Sequence, residues 1–433
     1  MKKFIFLFAG LLSSWVINSQ ILNYSDAALL FSDQQINGSA RFNALSGAFG
    51  ALGGDLSAAD INPAGIAVFN DSEASFTLGN RNTDVMTTFY ADPISNQNDY
   101  FNLIQAGGVL LLNGISDSKI ALGFNYSLSR DFKDDWISSG ISDISPLLDY
   151  YDPDFIYEFI DNQSFRNHTD GRNDKLVISI GSFNGDNLYL GASVNTHSID
   201  FRQDAIVGAS AHDANDNYLT VAEQARLDTQ GSGFSIGLGA IIKPSHETRI
   251  GLAFESPTWY TLSEYSALWD NDGFIVSENA FDYNLKTPSR FTGSFAYVIG
   301  KEGLLSFDYN YKTYKNIKLK PTGDFTVENS DFNTYLKNTS SFAVGGEWRL
   351  DNLSLRGGYH FEESPYKDAL DSDHVQGYSL GLGFKFNRNL KLDVAYQRDN
   401  HTGFHDFSVI DDVQRVELET TNKKLTATLV LGF

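Results

Sequence analysis

The sequence predicts an all-β protein: an exported, closed antiparallel β-barrel that crosses a membrane. Three observations carry that prediction: an apolar leader, segments alternating at period two, and links that are alternately short and long. Composition sets the frame. The 433 residues carry 32 Lys and Arg against 54 Asp and Glu, a formal charge of −22, with 33 Phe, 21 Tyr, 37 Gly, 9 Pro and no Cys. A basic footprint for nucleic acid is missing, disulfides and thiolate cages are impossible, and 42% hydrophobic content is too rich for disorder. Abundant Gly, Phe and Tyr with little Pro suits many twisted strands with aromatic rims.

The leader comes first. Met1-Lys2-Lys3 is a positive start, Phe4 to Leu12 an apolar run, and Ser13 to Ser19 a small-residue exit, so residues 1–19 read as a secretory signal peptide cleaved before Gln20. Nothing downstream approaches the roughly 18 continuous apolar residues of a membrane helix. An exported chain of this kind is either soluble or a β-barrel, the other architecture that satisfies every backbone polar group in lipid.

Alternation favours the barrel. Leu305, Phe307, Tyr309 and Tyr311 share one face while Ser306, Asp308, Asn310 and Lys312 share the other. Tyr378, Leu380, Leu382, Phe384 and Phe386 repeat the pattern, as do Ile120, Leu122, Phe124 and Tyr126, and the chain closes on Leu425, Ala427, Leu429, Leu431 and Phe433. Strand cores fall near 74–90, 100–112, 119–132, 174–183, 187–202, 226–242, 248–256, 288–299, 303–317, 340–350, 353–362, 376–387, 390–399 and 423–433. That is about fourteen, an even number, many of the length a tilted strand needs to cross a bilayer. The links at Asn113–Ser118, Asn184–Asp186, Lys243–Glu247, Gly300–Glu302, Asp351–Asn352 and Arg388–Asn389 are short and those between them mostly long. In an up-and-down outer-membrane barrel the short links are periplasmic turns and the long ones outer loops. Asp131, Asp134 and Asp135, and likewise Asp368, Asp371 and Asp373, are expected to face water outside, and no run has the order of a calcium loop.

The segment from Gln20 to about Ser72 does not read as strand. Gly38 to Gly65 is dense in small residues, with Asp55 and Asp60 ahead of Asn62-Pro63-Ala64-Gly65. This passage resembles the N-terminal hatch of the FadL family of outer-membrane transporters for long-chain fatty acids and other hydrophobic compounds, with Asn62-Pro63-Ala64-Gly65 standing at the Asn-Pro-Ala hatch motif. The resemblance covers the mature chain. It implies a fourteen-stranded barrel over residues 73–433, a hatch over residues 20–72 plugging its lumen, and the outer membrane of a Gram-negative bacterium. The residues are compatible: Pro63 fixes its own φ, biases Asn62 away from helix, and Asn62 can bond nearby backbone, a rigid corner.

Two outer segments are candidate ligand sites. Ser256-Pro257 has the form of a helix start, after which Trp259, Leu262, Tyr265 and Trp269 follow at near-helical spacing; Asp152-Pro153 starts another, with Phe155, Ile156, Phe159 and Ile160 as one stripe. Apolar patches of this kind mark ligand sites, though the two stripes could equally pack together as a lid. Inward positions carry both signs of charge, from Arg249 and Glu255 through Glu347 and Arg349 to Lys391 and Asp393. Such a bore receives an acyl chain poorly, and Arg356 is the candidate for pairing a polar head group through its planar fork. By resemblance, ligand leaves sideways where the third strand kinks. Here that strand, Lys119 to Phe132, lacks Pro, and only Gly123 and Asn125 hint at irregularity.

No catalytic signature emerges: His401 and His405 have a helical metal spacing, but Gly403 between them reads as loop. No enzyme, cofactor or metal is expected. The function expected is passive uptake of hydrophobic small molecules, captured at the aromatic loops and passed beside the hatch. The alternatives are a barrel that serves as a shuttle of the type IX secretion machinery and a non-specific diffusion pore. The partners expected are the hydrophobic ligand and membrane lipids, with secretion proteins only under the shuttle alternative, and a monomeric chain.

Overall fold

Fourteen strands close on themselves in the computed structural model, which describes residues 21–90, 92–113, 119–141, 147–148, 156–185, 187–405 and 415–433. Residues 1–19, expected as a signal peptide, lie outside the described residues. In chain order the strands are β1 (Glu73–Phe89), β2 (Asp92–Asn113), β3 (Lys119–Asp131, continuing as Asp134–Gly140), β4 (Phe159–Phe183), β5 (Leu188–His212), β6 (Tyr218–Ile242), β7 (Thr248–Glu255, continuing as Trp259–Trp269), β8 (Ile275–Lys286, continuing as Arg290–Ile299), β9 (Gly303–Lys312), β10 (Thr339–Leu350), β11 (Leu353–Glu362), β12 (Val375–Lys385), β13 (Leu390–His405) and β14 (Val416–Gly432). Each pairs antiparallel with the next. β14 pairs with β1 from Glu73↔Gly432 to Thr88↔Glu417, and the cylinder is sealed there without a free edge.

The apolar face of each strand points outward, as lipid requires. Leu122, Phe124, Ile178, Val194, Leu238, Leu252, Phe307, Leu355, Leu380 and Leu429 are all exposed on the outer wall. Beyond this band the outward positions turn polar: Arg166, His168 and Asp170 on β4, Ser198, Asp200 and Arg202 on β5, Arg226, Asp228 and Gln230 on β6. These three strands have 25 residues each and rise far above the lipid. The sequence expectation had ended them near 174, 202 and 226 and counted the remainder as long loop. The cause of the difference is the solvent. Once both the outside and the mouth are wet, the greasy half of the alternation disappears, although the backbone ladder continues. The β1–β2 link, Tyr90 and Ala91, is short for the same reason, which breaks the strict short–long alternation.

Residues 21–72 fill the bore. They form helix α1 (Tyr24–Ser32), helix α2 (Ala40–Ala44) and two 3-10 turns, Leu56–Asp60 and Pro63–Val68. Wall glycines give them room. A methyl group at Gly191 would overlap the Pro63–Ala64 backbone, one at Gly239 the Asn62 side chain, one at Gly251 the Gly50 carbonyl, and one at Gly381 the Ala44 methyl; Gly345 and Gly358 lie equally close to Leu45. Strand glycines commonly mark such a close approach of another backbone.

Candidate functional site

The hatch motif is the tightest joint of the plug. Asn62 is extended, at φ −141° and ψ 106°, as a residue before proline should be. Its Oδ1 accepts the Ala64 N–H at 3.1 Å, while Nδ2 donates to the Gly50 carbonyl at 2.7 Å and to the Ala240 carbonyl of β6 at 3.1 Å. One side chain therefore caps the 3-10 turn that Pro63 opens, closes the plug on itself and ties it to the wall. Ala64 packs with Ala67, Tyr189 and Ile241, and Gly65 accepts the Gly54 N–H through its carbonyl.

Around this joint the bore is charged. Glu347 of β10, its side chain 1% exposed, binds three guanidiniums: Arg41 of the plug at 2.8 Å, Arg356 of β11 at 2.7 Å and Arg349 at 2.6 Å. Arg356 also reaches Asp393. Its fork is thus shared between two wall carboxylates, one of which, Glu347, also holds Arg41 of the plug. Around these groups lies a cavity of about 490 Å³, lined among others by Asp55, Glu73, Lys385 and Lys391, at the end of the barrel that carries the Asp351–Asn352 turn and the start of β1. A second ionic joint, Lys175 to Glu255 at 2.8 Å and Arg290 to Glu255 at 2.6 Å, sits beside Asp60 of the plug, whose backbone carbonyl accepts from Arg290.

Above, the bore is apolar. Ala27, Ala28 and Phe31 of α1 pack against Ile199 and Phe201 of β5, Leu227 of β6, Tyr260 and Leu262 of β7, and Tyr283 and Leu285 of β8. The β9–β10 connection closes this chamber from outside: Tyr314, Ile317, Leu319 and Phe325 reach into it, as does Phe332 from helix α3 (Thr326–Tyr335). Phe132 completes the lining, and it stands at the break in β3.

That break opens a seam in the wall. β2 and β3 form a ladder only from Gln105↔Ser127 down to Asn113↔Lys119; above it β3 bulges between Leu128 and Arg130, breaks after Asp131, and stays with β4 alone. Side chains bridge the gap instead. Asn96 exchanges bonds with the backbone of Ile137, Asn98 donates to the Asp135 carbonyl, and Asn102 to the Asp131 carboxylate. From within, Arg81 of β1 passes beneath Tyr100 to Asp131 at 3.0 Å, so Asp131 is buried and not the water-facing loop residue expected. The plug supplies what β3 lost: Gln35 N–H donates to the Ser129 carbonyl at 2.9 Å and Asn37 Nδ2 to the Leu128 carbonyl at 2.8 Å. Gly123 and Asn125, the irregularities suspected from sequence, sit in regular ladder.

Where they are described, the two aromatic segments are strand and not helix. Trp259–Trp269 is strand, paired with Phe234 to Gln224 of β6. Ser256 does not cap a helix, because its hydroxyl accepts the Ile236 N–H across the ladder. Period two then divides the expected face: Trp259 and Tyr265 point outward and are exposed, the Trp259 ring tilted against Phe234 with centroids 5.1 Å apart, while Leu262 points into the chamber. Trp269 lies over the Arg226 guanidinium. Phe155 falls outside the described residues and Ile156 is described only as extended backbone, whereas Phe159 and Ile160 begin β4, with the Phe159 ring stacked on His212. His401 and His405 belong to β13, Gly403 included.

A sealed outer-membrane barrel, lipid-facing outside and plugged inside by its own N-terminal segment, defines the class. The family model described as outer membrane protein transport protein (OMPP1/FadL/TodX) matches residues 184–429, and the chain belongs to that family. Outer membrane protein P1 of Haemophilus influenzae is 24% identical over 217 residues, which are 48% of this chain and 47% of that one, so the chain spans about half the length of the curated relative it matches. Among solved structures, a FadL homologue of Pseudomonas aeruginosa superimposes with a TM-score of 0.64 at 16% identity, over 93% of this chain and 100% of that one. The Pseudomonas putida toluene transporter TodX gives 0.57 at 14%, over 92% and 99%. At these identities the likeness is one of fold. The chain is accordingly an outer-membrane β-barrel of a Gram-negative bacterium.

Proposed function

We propose that the protein passes hydrophobic small molecules from outside into the outer membrane, by way of the apolar upper chamber and the β2–β3 seam. One observation carries the route: Phe132 belongs at once to the chamber lining and to the break in β3. The lower bore offers no comparable path. It is packed with plug and lined by paired charges, and an apolar solute entering it would give up favourable burial for a wet, charged surface. Transport of this kind needs no nucleotide and no cofactor, because the solute moves from water to lipid down its own gradient. The relatives named for toluene transport favour small apolar solutes over secretion-machinery proteins as the traffic. Leu262 keeps its role as a ligand contact from the inner face of β7, whereas Trp259 and Tyr265 serve the outer wall.

The seam is directly testable because the chain has no Cys. Cysteines at Asn98 and Asp135, joined by a short bifunctional reagent, should stop uptake of labelled toluene into vesicles that hold the purified protein. Unchanged uptake after linking would remove the lateral exit, and absence of uptake before linking would remove the channel.

A further inference from the structure

The outer rim of the barrel is stepped, and the step leaves a strand edge bare. β9 ends at Lys312, level with Arg290, whereas β8 rises on to Ile275. Of the 12 residues Ile275–Lys286, only Asn284, Leu285 and Lys286 find a strand on the β9 side, a short ladder to Lys320, Leu319 and Lys318. It stops at Pro321, which has no N–H to donate. The other nine, Ile275 to Tyr283, lie against β7 alone among the described residues. Nine extended residues present about 30 Å of main-chain donors and acceptors, a template for one more strand.

The opposite flank of the tall wall is treated differently. There the upper part of β3, Asp134–Gly140, is bridged to β2 by the Asn96 and Asn98 side chains. Along Ile275–Tyr283 the described residues supply no such bridge to the backbone. Composition adds an independent sign of a missing neighbour. Phe274, Ile275 and Val276 are consecutive and 70, 55 and 49% exposed. Ile275 is level with Gln224 of β6 through Trp269, well above the lipid band, so this apolar run stands in water. Three large apolar residues in a row on a water-facing strand are unfavourable unless something covers them.

We infer that the β8 edge takes up a strand of another protein, extended, with lysine or arginine on one face and apolar residues on the other. Main-chain hydrogen bonds supply the attachment, and the two rows of side chains supply the selection. The outward row carries the exposed carboxylates of Glu278 and Asp282, and a cation directly across from each would be stabilised. The inward row, with Ile275 at the top and the half-buried Phe281 below, faces the apolar side of the incoming strand. A second copy of this chain does not fit: it would bring Glu278 and Asp282 against their own likes, each copy at a formal charge of −22. The edge lies apart from the transport route, and the inference does not depend on it.

Three labelled peptides matched to the edge in length are the probes, followed by fluorescence anisotropy against the purified full chain in detergent. One alternates lysine and valine, one alternates glutamate and valine, and the third is the first with every backbone nitrogen methylated, which removes its donors and keeps its charge. The lysine peptide should bind, and the other two should bind at least about tenfold more weakly. The double variant Glu278→Lys/Asp282→Lys should reverse the order of the lysine and glutamate peptides. In the unmodified protein, bound lysine peptide should slow amide hydrogen exchange within residues 275–283 and leave residues 303–312 unchanged, a readout that needs no variant to fold. Binding that ignores methylation, or that leaves exchange over residues 275–283 as it was, would mark charge attraction alone and overturn the added strand. Equal binding of the glutamate peptide, or no binding of any peptide at millimolar concentration, would overturn it as well. Self-association of the unmodified protein that slows exchange over the same residues would give the edge to a second copy and remove the inferred partner.

Discussion

The lower and upper halves of the bore hold the same N-terminal segment by opposite means. Around Asn62 the plug is gripped by directional bonds: three guanidiniums on Glu347, Glu255 between Lys175 and Arg290, and Asp308 accepting the Phe49 and Gly50 N–H groups at 2.9 and 2.8 Å. Above it, α1 is held by non-directional burial of Ala27, Ala28 and Phe31. Directional, charged joints fix a unique geometry and are costly to break singly, whereas an apolar contact can be exchanged for another of similar shape. The lower half is thus anchored by charge and hydrogen bonds, and the upper half is held by burial alone.

Substitutions can break or sharpen that contrast, and unfolding by denaturant in a fixed detergent measures each. The largest loss should come from Glu347→Ala, which strands three arginines around a vacated carboxylate, at about 4 kcal/mol. Leu262→Ala, in the apolar half, should cost about 3 kcal/mol through lost transfer energy and the cavity left behind. If Leu262→Ala proves the costlier of the two, the lower half is not the anchor. Asn62→Ala should cost about 2 kcal/mol, since it orphans the buried Gly50 carbonyl, loses the tie to Ala240 of the wall and uncaps the 3-10 turn. Trp259→Leu, on the outer wall, should stay within about 0.5 kcal/mol. A loss comparable with that of Leu262→Ala would mean that Trp259 packs inward after all.

What could be read from sequence followed where the solvents lie. Leu305, Phe307, Tyr309 and Tyr311 announce their strand because lipid demands grease on one side and the lumen tolerates polarity on the other. The upper halves of β4, β5 and β6 give no such signal, with polar residues outward in water. Trp259, Leu262, Tyr265 and Trp269 misled because their spacing fits a helix, while the Ser256–Ile236 bond and a full ladder to β6 decided for strand. Tertiary pairing outweighed the local start signal. Asn62-Pro63 was legible because its constraint is local. The chamber was not, since Phe31, Phe132, Phe201 and Leu262 meet only after the barrel closes, and neither was the seam, because Ser129 and Phe132-Lys133 carry no proline or glycine to mark a break.

The bare inner rows at Gly191, Gly239, Gly251, Gly345, Gly358 and Gly381 bear on how the protein is made. A wall shaved to its backbone on that many strands has hollows that only residues 40–65 match, and leaving them vacant would forfeit the contacts that pay for ordering the chain. Cylinder and stopper are therefore complementary halves of one packed body, and neither reaches its full burial without the other.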